Sequence, residues 1–224
     1  RIMEVCGSHT QGFHRFGLKK LLPGNVKFIS GPGCPVCVSS QGYIDAAINC
    51  AQDKDNIILT FADMLRVPGS SSTLEMARGR GAQVGVVYSA LEALSAARRN
   101  PRKRIVFLAV GFETTAPTIG LAILHSQKEG LRNILFYSSL KLIPPALRYL
   151  SEEKRLGIHG FLLPGHVSAI IGTKPYAFIP KRYKIGCCVA GFEPLDMLEG
   201  VYFLLRQRQE KYPRVENQYS RAVR

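Results

Sequence analysis

The chain has 224 residues, 46% hydrophobic and 21% charged, with a formal net charge of +14 from 30 Lys+Arg against 16 Asp+Glu. Such composition is that of a folded chain, long enough for one large domain or two small ones. It excludes intrinsic disorder, a collagen-like repeat and a disulfide-dense mini-protein, and no apolar run approaches the ~20 residues that a membrane span needs.

The first apolar, β-branched run, residues 2–6, is expected as a strand, and CGSHT (Cys6–Thr10) as the loop that follows it. A helix over 13–22, a strand over 26–30 and the loop GPGCPVC (Gly31–Cys37) come next. Then come a helix over 43–51, a strand over 57–61 with Asp63 just beyond it, a helix over 73–80, a strand over 84–88 and a helix over 90–99. The polar stretch Asn100–Arg104, which contains Pro101, reads as a boundary. Beyond it lie strands over 105–110, 134–137, 160–163 and 185–189, with helices over 116–129, 145–153, 168–171 and 194–209. GFETT (Gly111–Thr115), PGHVS (Pro164–Ser168) and GFEPLD (Gly191–Asp196) each follow a strand. Most strands are apolar throughout rather than alternating, as in parallel sheets covered on both faces. The fold class read here is therefore α/β with two similar lobes, each a mostly parallel sheet flanked by helices, and a cleft between them. QVGVVYSALEAL from Gln83 resembles KIGCCVAGFEPLDML from Lys184. Four strands recur in one order roughly a hundred residues later, so the expected division is 1–99, 100–212 and a tail at 213–224.

The unusual residues fall on loops after strands, the edge of an open parallel sheet where ligands bind. Cys34 and Cys37 are spaced C-x-x-C, which suits a dithiol–disulfide couple or half of a metal site. No second C-x-x-C completes a four-cysteine site. Cys6 with His9 three residues later is a candidate nucleophile or soft metal ligand, the alternative being a core cysteine beside a surface histidine. His166 directly follows Pro-Gly after a strand, with Ser168 as the expected helix cap. Glu113 and Glu193 occupy matching positions, two residues after a glycine. They are candidates to orient a histidine or relay protons, or else first-turn residues complementing a helix dipole. Cys50, Cys187 and Cys188 read as buried filler, and His14, His125 and His159 as incidental. The basic clusters at 98–104 and 206–214 carry no interleaved aromatics and no nucleic-acid signature, so neither nucleic acid nor membrane is an expected partner. No export signal is visible, so the cytoplasm is the expected location, where a disulfide framework is not expected.

MEVCGSHT, LLPGNVKFISGPGCPVCV, ADMLRVPGS, VGFETTAPT, PGHVSAIIG, AGFEPLDML and VENQYSR, in this order, resemble the HypD family of hydrogenase maturation factors. The resemblance implies two α/β lobes and a role in building the Fe(CN)2(CO) half of the nickel–iron hydrogenase site. It implies work with the small chaperone HypC and with HypE as cyanide donor, the cyanide being made by HypF and HypE. By it, Cys6 binds the iron under assembly, Cys34 and Cys37 are a thioredoxin-like redox pair, and His9, His166, Glu113 and Glu193 line the cleft. The family's first motif usually continues with a second histidine where this chain has Gln11. The family also holds a [4Fe–4S] cluster in a C-terminal segment whose ligands are not in this sequence. The chain is thus expected to be a fragment, without that cluster. The competing readings are a stand-alone thiol–disulfide oxidoreductase using Cys34 and Cys37, and a nucleic-acid-binding module driven by charge.

Overall fold

In the computed structural model, which describes Arg1–Arg224 throughout, the apolar runs become strands, the central ones buried on both faces. They are β1 (Ile2–Glu4), β2 (Phe28–Ser30), β3 (Asn56–Thr60), β4 (Val84–Val86), β5 (Arg104–Gly111), β6 (Ile134–Leu140), β7 (Gly160–Pro164), β8 (Gly186–Ala190) and β9 (Val215–Asn217). The helices are α1 (Gly7–Arg15), α2 (Gln41–Gln52), α3 (Leu74–Gly79), α4 (Ala90–Arg99), α5 (Ala116–Lys128), α6 (Ile143–Glu152), α7 (Gly165–Ile171) and α8 (Pro194–Gln209). Every strand pair is parallel. The α/β class and the two sheets agree with the sequence reading.

The strands divide into a five-stranded sheet, β2-β1-β7-β8-β9, and a four-stranded sheet, β4-β3-β5-β6. The first belongs to a unit made of Arg1–Cys34 and Leu142–Arg224, the second to a unit made of Pro35–Lys141. This corrects the expected division into 1–99 and 100–212: β5 pairs with β3 through Ile57–Ile105 and Ile58–Val106, so the strand after Pro101 completes the sheet before it. The tail at 213–224 is also corrected, because β9 extends the first sheet beside β8. The two units do share a design. Taken in the order each sheet meets the chain, both read 2-1-3-4, and the first adds a fifth strand. That is the doubly wound order, with a switch point between its first and third strands. The repeat seen in the sequence aligned β1 with β5, but topologically β1 corresponds to β3. Fully buried parallel strands have nearly interchangeable compositions, so apolar similarity does not record sheet position.

In the second unit, alternate residues of β5 serve two cores. Val106, Leu108 and Val110 meet α2 and α3, and Ile105, Phe107 and Ala109 meet α4 and α5. In the first unit, Leu162, Cys188 and Ala190 pack with Phe13 of α1 and Met197, Val201 and Leu204 of α8. Cys187 and Cys188 point to opposite faces of a central strand, and both are buried. Burial pushes the Cys187 thiol well above its ordinary value and Cys188 up to about 12.

Three local expectations are overturned. CGSHT is not a loop: Cys6 is the extended N-cap residue of α1, and Gly7 to His9 are its first turn. The expected helix over 13–22 in fact ends at Arg15, because Gly17 adopts φ +64°, and a 3-10 turn Leu18–Leu21 follows. Ser168 does not cap α7. It lies inside the helix and donates back to the Pro164 carbonyl at 2.8 Å, while Pro164 occupies the N-cap.

Candidate functional site

The site is built where the doubly wound order reverses in the first unit. β1 and β7 are neighbours, with Glu4 paired to Leu162. Each strand ends and feeds directly into a helix, β1 through Cys6 into α1, β7 through Pro164 into α7. Cys6 and His166 therefore stand at the carboxyl ends of the two strands that flank the switch point, the place where ligands enter sheets of this order. Cys6 is half-buried and His166 is exposed.

Beside them, β8 ends at Ala190, and the Gly191–Phe192 turn leads to α8. The His9 imidazole, with no exposed surface, stacks on the Phe192 ring at 4.6 Å between centroids. The His166 imidazole stacks on the same ring at 4.0 Å. His9 Nε2 is 2.9 Å from the Gly191 carbonyl. A carbonyl only accepts, so Nε2 carries the proton and Nδ1 has the free lone pair. Burial lowers the His9 pKa to about 4, against the opposing pull of the Gly191 and Ala190 carbonyls. The ring is neutral at physiological pH.

A second set of residues holds the turn. Asp196 is buried, accepts from Arg221 through both oxygens at 2.8 and 2.5 Å, and accepts from Gln218 Nε2 at 2.8 Å. Gln218 Oε1 in turn accepts from the Gly191 amide at 3.1 Å. The Arg221 guanidinium first, then Gln218 and the Glu193 amide, hold the Asp196 carboxyl below the usual carboxylate range. Tyr219 lies so close to Gly165 and Gly191 that a Cβ at either would press into its ring. VENQYSR is thus a strap across the ends of β7 and β8. The sequence reading assigned no role to Phe192, Asp196, Gln218, Tyr219 or Arg221. GFEPLD carried a partial signal, since Glu and Asp three apart before an apolar run are capping-box spacing. That box forms: Glu193 is the N-cap of α8 and Asp196 its partner. Glu193 itself points outward and lies 3.8 Å from Arg221.

The remaining candidates are placed as follows. Gly31 continues the β1–β2 ladder by donating to the Glu4 carbonyl at 2.8 Å, so the cysteine loop leaves the sheet alongside the β1 end that carries Cys6. Cys34 and Cys37 are exposed. Glu113 is buried in the second unit, just past β5, at the corresponding switch point between β3 and β5. Asp63 is exposed past β3. A cavity of about 530 Å³ in the second unit, lined by Asp45, Ser70, Arg80 and Gln83 among others, lies at the opposite ends of its strands and contains none of these residues.

No group of three or more His, Cys, Asp or Glu side chains is arranged to hold a metal. The six cysteines do not fit a four-thiolate iron–sulfur cluster, because Cys187 and Cys188 are sealed on opposite faces of β8 and Cys50 sits in α2. No helix is long and apolar enough to cross a membrane.

The family model for HypD, described as the hydrogenase formation hypA family, matches residues 1–224. The chain is 47% identical over 223 residues to the hydrogenase maturation factor HypD of Escherichia coli K12, covering 100% of this chain and 60% of that protein. It is 45% identical to HypD of Rhodobacter capsulatus over 99% of this chain and 59% of that protein, and 41% identical to HypD of Cupriavidus necator over 99% and 60%. The chain thus spans about 60% of the length of these relatives. With its loop motifs gathered at sheet edges and a match along its whole length, the chain belongs to the HypD family of hydrogenase maturation proteins.

Proposed function

We propose that this chain is the assembly scaffold on which iron is held while cyanide and CO are attached during nickel–iron hydrogenase maturation. The observation that carries the reading is the position of Cys6, at the carboxyl end of β1 beside the switch point, with two imidazoles packed on Phe192 next to it. Iron is the cargo, and a thiolate is the soft donor that low-spin iron with cyanide and CO ligands accepts. Half-burial of Cys6 leaves a side open for a partner's donor and for the diatomic ligands. The +14 charge of the chain favours an anionic dicyano-iron fragment.

Cys34 and Cys37 are read as the redox pair. Their exposure and C-x-x-C spacing support this. The dithiol and disulfide forms of this pair differ by two electrons and two protons. HypC is the proposed co-scaffold and HypE the proposed cyanide donor, in the cytoplasm. His166, exposed on the Phe192 stack, and Glu193 on the same turn are proposed to face the iron fragment and its partner. Glu113 is proposed to serve the corresponding edge of the second unit.

Anaerobic copurification with HypC, followed by infrared spectroscopy, tests the reading. Cyanide and CO stretches are expected in the parent and absent from Cys6→Ala. Bands that persist in Cys6→Ala, while reduced chain still exchanges disulfides through Cys34 and Cys37, favour the stand-alone oxidoreductase instead.

A further inference from the structure

His9 contains a buried polar atom that the fold leaves unused. Its Nδ1 has no hydrogen-bond partner although the residue has no exposed surface. A buried polar atom without a partner is destabilising and calls for a reason. We propose that His9 Nδ1 is a second protein donor, beside the Cys6 thiolate, to the metal bound at this site. The inference rests on the assignment of Cys6 as a metal ligand.

Three observations support it. Cys6 and His9 are the N-cap and third residues of α1, three apart, the spacing at which side chains on a helix surface are neighbours. Nδ1 is the ring nitrogen nearer the backbone by bonding, while Nε2 reaches out to the Gly191 carbonyl. Metal-binding histidines characteristically donate their other N–H to a carbonyl or carboxylate, which fixes the tautomer and the ring orientation. Here that carbonyl belongs to a residue whose own amide is held by Gln218, and Gln218 is held by Asp196 and Arg221. The chain from Arg221 to His9 fixes the imidazole with a lone pair at Nδ1 and no protein group to receive it. The soft thiolate and the imidazole together form a two-donor site, which leaves coordination positions for ligands from elsewhere.

The test uses the 224-residue chain carrying Cys34→Ser and Cys37→Ser, so that the exposed pair binds no metal. Zn(II) is titrated anaerobically into the chain labelled with 15N-histidine. The expected result is a large upfield shift of the His9 Nδ1 resonance on binding, with Nε2 still protonated and the whole effect lost in Cys6→Ser. His9→Gln is expected to weaken Zn(II) at least roughly ten-fold, the size typical of losing even an orienting partner. Should His9→Gln fail to fold, the parent spectrum decides. Zn(II) binding that depends on Cys6 but leaves His9 Nδ1 unmoved overturns this inference and leaves the Cys6 assignment standing. Absence of any Cys6-dependent binding overturns both.

Discussion

Arg221 grips Asp196 with both terminal guanidinium nitrogens, at 2.8 and 2.5 Å, and so ties VENQYSR to the turn that carries Phe192. The Asp196 side chain is almost fully buried, while half of the Arg221 side chain is exposed. Removing the arginine leaves a buried carboxylate with one fewer partner. Arg221→Ala is expected to cost about 1–3 kcal/mol, between the values for surface and buried pairs. Arg221→Lys is expected to restore part of it, since a single ammonium cannot reproduce the fork. Urea unfolding measures both, and an Arg221→Ala chain as stable as the parent would show the clamp to be idle.

His9 makes stability depend on pH. Its folded pKa of about 4 lies below the ordinary 6.5, so between these values the unfolded chain binds a proton that the folded chain refuses. The His9 contribution is fully present above pH 6.5 and is lost as pH falls toward 4, by up to roughly 3 kcal/mol. His159 is lowered too, chiefly by burial, and acts in the same sense. Asp196, also depressed, loses its contribution only below its ordinary 3.8. The difference in slope between the parent and His9→Gln over pH 6.5 to 4 isolates His9. Equal slopes would contradict a buried, neutral ring.

Phe192 joins the two imidazoles. Phe192→Leu keeps apolar volume and removes the aromatic face, so the ring-current displacement of the His9 and His166 carbon-bound protons is expected to vanish. An aromatic pair of this kind contributes about 0.5–1.5 kcal/mol beyond area, and the loss of stability is expected in that range. Unchanged histidine proton shifts would exclude the stack in solution.

The cysteines separate into two classes. Cys34 and Cys37 are exposed, and Cys187 and Cys188 are sealed in β8 with raised pKa values. In the reduced, folded chain a disulfide reagent is expected to modify the first two rapidly and the last two only after unfolding. Cys188→Ser buries a hydroxyl in an apolar core and is expected to cost about 1–3 kcal/mol, without altering metal binding. Rapid labelling of Cys187 or Cys188 would contradict their placement.

Much of the architecture is legible from residue order. The helices over 90–99 and 194–209 fall where apolar periodicity and caps place them. Apolar runs such as 105–110 mark strands to within a residue or two. Which strands pair is not legible, because β3, β5 and β7 are alike in being buried on both faces, and only long-range packing sorts them into two sheets. β9 was missed because VEN is short and half-exposed and gains its place only by pairing with β8. CGSHT hid a helix start because Gly and Ser favour turns in isolation, and the packing of Phe13 decides otherwise. Of the site, Cys6, His9, His166 and Glu193 were visible as chemistry-bearing residues after strands. Phe192 and the VENQYSR clamp were not, since an aromatic residue and a polar tail carry no chemistry until the fold sets them against two histidines and an aspartate.

In the proposed function the Cys6 sulfur binds the iron. X-ray absorption at the iron K-edge, on chain loaded anaerobically with Fe(II) in the Cys34→Ser, Cys37→Ser background, tests it most directly. A sulfur shell that disappears in Cys6→Ala is the predicted result. A sulfur shell that survives the loss of Cys6, or none in the parent, would contradict it.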